Sequence, residues 1–168
     1  MDHQIGGMMT TFDARPRAAT GPVPPPWLAA VLLGGRPGGR EALYHFHELS
    51  AFEPASVAVA RRFVERTLRE WHAPEISFDA QLVVSELVTN AMRHGGGALH
   101  LRLLAHAGDL ACVVSDYSRT APVPAAPGVF AEFGRGLALV EGLTRAWGWI
   151  TPPGPNKFVW ACMAMTGP

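Results

Sequence analysis

An excess of charge of either sign is what this sequence most conspicuously lacks. Its 168 residues carry 14 Lys and Arg against 14 Asp and Glu, so the formal net charge is zero. Without a basic surplus there is no electrostatic footprint for a phosphate backbone or an anionic lipid surface, and neither nucleic acid nor membrane is expected as a direct partner. Long hydrophobic runs are also missing. The longest early one, Trp27-Leu28-Ala29-Ala30-Val31-Leu32-Leu33, falls far short of the roughly 20 apolar residues that cross a bilayer. The opening MDHQIGGMMT does not follow the basic-then-apolar order of a secretion signal. Cysteine is scarce: Cys112 and Cys162 each sit inside an apolar run, LACVVS and FVWACMAM. Two such thiols make no disulfide framework and are read as small core hydrophobes. The expected setting is therefore the reducing cytoplasm. No G-x-x-x-x-G-K-[ST] phosphate loop and no G-x-S-x-G elbow occurs, so neither of those two active-site designs applies.

What the chain does have is enough apolar residue, 48%, to build a core. Residues 1–40 stand apart, because GPVPPPW and LLGGRPGGR are dense in Pro and Gly. Each Pro removes a backbone donor and each Gly adds entropy to be lost on ordering, so this segment is expected to be a disordered tail. Its short apolar patch, Trp27 to Leu33, is a candidate for docking on the domain or on a partner. The folded domain is expected over 41–166. Ala42 to Glu48 alternates as a strand does. Ser50 to Glu53 reads as a capping box before a helix marked by Val57, Ala60, Val64, Leu68 and Trp71 at helical spacing. Ser77 is the expected cap of a second helix, and Gly95-Gly96-Gly97 its end. Two strands joined at Ala107-Gly108-Asp109 follow, then an irregular stretch from Tyr117 to Phe133. A third helix over about 137–145 and two closing strands near 147–151 and 158–165 complete the chain. Strands in runs and helices in runs predict an α+β fold, a two-layer sandwich with helices on one face of a mostly antiparallel sheet.

Three features could carry chemistry. On the second helix, Glu86 and Asn90 are four apart and so share one face. A carboxylate there can accept a proton from a nucleophile, and a carboxamide oxygen can ligate a hard cation such as Mg²⁺. Asp116 ends an apolar strand, where a carboxylate can accept a hydrogen bond from an exocyclic amine. Gly134-Arg135-Gly136 leads into the third helix, where glycine backbone and the helix N-terminus suit a phosphate. Taken singly, each has a plainer reading: a solvated helix face, a strand-end turn, a glycine turn. His45 and His47 lie on one face of a strand as two metal ligands would. His100 and Cys112 are unforced further ligands, and packing histidines are the simpler reading. Trp147, Trp149 and Trp160, in the last hairpin, are expected to pack sheet against helices.

Read together and in order, ELVTNAMRH (86–94), VVSDYSRTAP (113–122), GRGLALVEGL (134–143), WGW (147–149) and KFVWACM (157–163) resemble the GHKL ATPase superfamily. Within it, the chain looks most like the stand-alone anti-sigma factor serine/threonine kinases of actinobacteria. The resemblance covers about 42–165 and implies a Bergerat-type, histidine-kinase-like ATPase fold. It also implies roles. Glu86 would be the general base on an attacking hydroxyl, Asn90 the Mg²⁺ ligand, and Asp116 the acceptor of the adenine amine. Gly134 and Gly136 would form the nucleotide-facing turn, and Arg135 would add a phosphate contact. ATP and Mg²⁺ are the implied cofactors, and an anti-anti-sigma protein, a sigma factor and a second copy of the chain the implied partners. The sequence departs from the superfamily after Asp116, where Tyr117-Ser118-Arg119 replaces the usual D-x-G-x-G glycines, and the lid stretch Pro122 to Phe133 is short. Those departures keep an alternative open: an interaction module on the ATP-binding fold with little or no kinase activity.

Overall fold

The computed structural model describes residues 22–35, 43–122 and 135–165. Along the chain run α1 (Pro26–Leu32), β1 (Leu43–Glu48), α2 (Ala55–Glu70), a 3-10 turn (Pro74–Ile76) and α3 (Ser77–His94). The hairpin β2 (Ala98–His106) and β3 (Asp109–Asp116) follows, then α4 (Arg135–Leu143), β4 (Ala146–Ile150) and β5 (Lys157–Ala164). The strands form one antiparallel sheet in the order β1-β2-β3-β5-β4. The fold class is α+β, as the sequence pattern predicts. Its least local feature is the insertion of β5 between β3 and β4, which lays Asp116 opposite Lys157.

The central strands are buried on both faces, and alternation divides their side chains between two cores. Leu101, Leu103, Cys112, Val114, Val159 and Ala161 pack beneath α2, α3 and α4, against Val64, Leu68, Val84, Leu87, Val88 and Val140. The opposite set, Leu104, Ala111, Val113, Phe158, Trp160 and Cys162, lies under Leu28, Val31 and Leu32 of α1. The three longer helices thus share one face, and the fourth covers the other. Within the segment read from sequence as a disordered tail, Pro26–Leu32 is instead a helix seated on the sheet. Pro26 suits a first helical position, and three apolar residues meet a strand face that would otherwise stand open to water. Trp160 consequently packs toward α1, while Trp147 and Trp149 border the larger core.

Two expected helix caps are absent. The chain turns at Ser50, whose carbonyl accepts from the Glu53 N–H at 3.2 Å and the Ser56 hydroxyl at 2.7 Å. Helix α2 begins only at Ala55, with Pro54 at its N-cap, too late for a box built on Ser50. Ser77 has helical dihedrals (φ −61°, ψ −38°), because the 3-10 turn runs straight into α3. It therefore lies inside the helix, and its hydroxyl accepts from Gln81 Nε2 at 3.0 Å. At the far end of α2, His72 takes φ 56° and the Ala73 N–H reaches back to the Leu68 carbonyl at 2.9 Å. That closure, usually built on glycine, turns the chain back so that α3 packs on α2.

Helix α3 ends where predicted. The N–H groups of Gly95 and Gly97 both bond to the Ala91 carbonyl, and Gly96 and Gly97 take φ of 72° and 112°. Among the described residues, no helix is long and apolar enough to cross a membrane.

Candidate functional site

Helix α3 is the spine of the site. Glu86 and Asn90 sit one turn apart, both half-buried, beside the fully buried Val84, Leu87, Val88 and Ala91. The buried stripe fixes the rotation of the helix, and so presents the two polar side chains along one border of the core.

Gly136, in the first turn of α4, lies directly against Glu86. A methyl group placed on Gly136 would fall on the Glu86 carboxylate oxygen Oε2. Absence of a side chain at 136 is thus what allows the carboxylate to reach the start of α4. Free N–H groups and the positive end of the helix dipole are found there. The structure therefore brings together two residues that the sequence separates by fifty positions.

At its other end α3 meets Asp116. A Cβ on Gly95 would stand 2.5 Å from both Cγ and Oδ2 of Asp116. The Asp116 side chain is fully buried. Its Oδ1 accepts from the Ser118 backbone N–H at 2.9 Å, a strand-end turn. Its Oδ2 has no hydrogen-bond partner. The nearest cation, Lys157 Nζ, stands 3.4 Å from Oδ2 and donates one of its three N–H bonds to the Thr120 carbonyl at 2.8 Å. Burial pushes the Asp116 carboxyl above the usual carboxylate range; the Lys157 charge, and then the Ser118 N–H, oppose that rise. Arg119 adds a second tie by donating to the Gly154 carbonyl. The segment after Asp116 is thus fastened to the start of β5 and to the β4–β5 connection by two side chains.

The nine residue steps from Glu86 to Gly95 span about 13 Å of helix. Along that length the Glu86 carboxylate stands at one end, the Asn90 carboxamide near the middle and the orphaned Asp116 oxygen at the other end. An unpartnered buried acceptor fits a donor amine on a base. Among the described residues no group of three His, Cys, Asp or Glu side chains could hold a metal ion. Asn90 would thus hold a cation with oxygens from phosphate and water, which is how Mg²⁺ is commonly bound. Gly134 and nearly all of the short lid stretch lie outside the described residues. Arg135 contributes its backbone to the first turn of α4.

The histidines have ordinary partners. His45 stands 3.5 Å from Thr67 Oγ1 and edge-on to Trp71, His47 stacks on Phe63, and His100 Nδ1 meets Ser115 Oγ at 3.0 Å. Cys112 and Cys162 are free and buried, and burial pushes the Cys162 thiol up to about 12. Sequence reasoning missed Gly95 and Lys157. The available signal was a lysine opening an otherwise apolar strand, KFVWACM, but its meaning depends on which strand lies beside it.

The family model of the histidine kinase-like ATPase domain matches residues 50–157. No curated protein matches the chain.

Proposed function

Because this chain belongs to the histidine kinase-like ATPase domain family, we propose that it binds ATP with Mg²⁺ and transfers the γ-phosphoryl group to a serine or threonine of a protein partner. The partner class is an anti-anti-sigma protein, with a sigma factor bound in another state. The protein would work in the cytoplasm as a homodimer. The observation that carries this reading is the convergence on α3: Glu86 against the first turn of α4, Asn90 one turn on, and the unpartnered Asp116 Oδ2 against Gly95. In this reading Asp116 accepts from the adenine amine. Glu86 takes the proton from the attacking hydroxyl, and its contact with Gly136 holds the carboxylate at the first turn of α4, where the phosphates would lie. Asn90 would supply the cation's protein ligand, and Mg²⁺ would neutralise charge on the phosphate oxygens.

The test is calorimetric titration with ATP in the presence and absence of Mg²⁺, with GTP as control. ATP is expected to bind, Mg²⁺ to strengthen it, and GTP to bind at least ten-fold more weakly. Asp116→Ala is expected to weaken ATP more than GTP. Equal affinity for both nucleotides in the wild type, or equal losses in the variant, would remove Asp116 from base recognition. A second reading, an interaction module with little turnover, is favoured by the enclosure of Asp116 beneath the tied 117–122 segment. Tight ATP binding without transfer to any hydroxyl-bearing partner would select it.

A further inference from the structure

A fully buried lysine facing a fully buried aspartate is costly to build. Each ion loses its hydration, and the pair is retained only where geometry compensates. Here the geometry is half complete. Lys157 Nζ is bonded to the Thr120 carbonyl and only near Asp116 Oδ2, at 3.4 Å. The carboxylate oxygen keeps an open acceptor site while a positive charge stands beside it. Among the described residues, no other charged group acts on Asp116. Helix α3 offers Gly95, β2 pairs Ala98 with it, and the following turn offers the Ser118 N–H. Lys157, from β5, is the charged group that faces it.

Resting on the nucleotide reading above, we propose that Lys157 is a positioning residue that keeps the buried Asp116 ionised, and that this ionisation makes the site select adenine over guanine. An ionised carboxylate is acceptor-only, which suits the amino group of adenine. A protonated carboxyl offers an O–H donor instead, which opposes that amino group and suits the carbonyl oxygen that guanine carries in its place. Loss of the ammonium would leave only the Ser118 N–H to oppose the desolvation of Asp116, and the neutral acid would persist to higher pH than in the wild type.

Two measurements test this on the full chain. The first follows the Asp116 side-chain carboxyl ¹³C shift against pH in the free protein. Its titration midpoint is expected to move up by at least one pH unit in Lys157→Met and to stay near wild type in Lys157→Arg. The second is calorimetry with ATP and GTP between pH 6 and 8.5. Lys157→Met is expected to lose ATP affinity at least ten-fold at pH 7 and to narrow the ATP-to-GTP ratio. Its ATP affinity should recover as pH rises, because deprotonation restores the acceptor. A loss equal for both nucleotides and constant with pH would mean a merely structural lysine and overturn the proposal. An unmoved Asp116 titration in Lys157→Met would overturn it while leaving the nucleotide reading intact. Failure of the wild type to bind ATP would sink that reading and the selectivity claim together. Should Lys157→Met not fold, the double variant Asp116→Asn/Lys157→Met removes both charges and keeps an amide acceptor. It is expected to bind ATP independently of pH, and a wild-type-like pH dependence in it would count against the pairing.

Discussion

Glu86 and Gly136 are packed so closely that the side chain of one depends on the lack of a side chain in the other. Two variants separate their contributions. Glu86→Ala is expected to slow phosphoryl transfer by about 10²–10⁴-fold and to spare ATP affinity, because a general base acts on the nucleophile and not on the nucleotide. Single-turnover transfer and calorimetry on the same preparation check both halves, and parallel loss of binding would reassign Glu86. Gly136→Ala behaves differently. Alanine in a helix is better than glycine by about 1 kcal/mol, and the atom it meets is the mobile end of a glutamate. The variant should therefore be as stable as wild type or slightly more so. Its carboxylate is displaced, and a shift of about 1 Å at a reacting group costs on the order of 100-fold in rate. Denaturant unfolding and transfer assays should move in opposite directions. A variant that lost stability instead would show that Gly136 serves the fold and not the placement of Glu86.

At the scale of elements, α1 is the clearest case of a segment that tertiary contact makes helical. Seven residues are too few for a stable helix in water. Leu28, wholly buried beneath it, supplies much of the apolar contact with Trp160 and its neighbours. The approach is close: a Cβ on Gly148 of β4 would stand 2.8 Å from the Pro22 carbonyl and 2.9 Å from the Trp160 ring. Leu28→Ala is expected to cost about 2–4 kcal/mol of stability. Urea unfolding measures that cost. Limited proteolysis should cut the variant within 22–35 sooner than wild type, and an unchanged cutting pattern together with an unchanged midpoint would mean that α1 contributes nothing to the domain.

For the whole molecule, pH acts with opposite signs through a half-buried histidine and a buried aspartate. His100, packed against Phe46 and hydrogen-bonded to Ser115, has its pKa lowered first by burial and then by Arg102, with Glu48 opposing. A lowered pKa means that the folded state resists protonation. The stability this confers is present above the ordinary histidine value of 6.5 and is lost as pH falls through the lower folded value. The raised pKa of Asp116 works the other way, contributing in acid and fading as pH rises through its folded value. The melting temperature of wild type is therefore expected to drop more steeply than that of His100→Gln between pH 7 and 5. Identical slopes would show that His100 titrates as a free imidazole.

Much of this molecule could be read before its structure. Every strand of the sheet, the span of α3 and the glycine stop after His94 follow from periodicity and turn chemistry, because those signals are local and repeat every two or 3.6 residues. Glu86 and Asn90 share a helix face by spacing alone. The absent caps at Ser50 and Ser77 show where local signals were outweighed: a turn at Ser50 and a 3-10 entry before Ser77 satisfied the same backbone groups otherwise. The remaining features required three dimensions. Nothing local in FVWACM says that β5 lies beside β3. Only that crossover sets Lys157 against Asp116, just as only the docking of α4 sets Gly136 against Glu86. Sequence alone determined the elements and the side chains able to do chemistry, since both depend on near neighbours in the chain. Tertiary structure decided which of those side chains meet, and which charge stands beside Asp116, because contacts between distant segments form only once the sheet order is set.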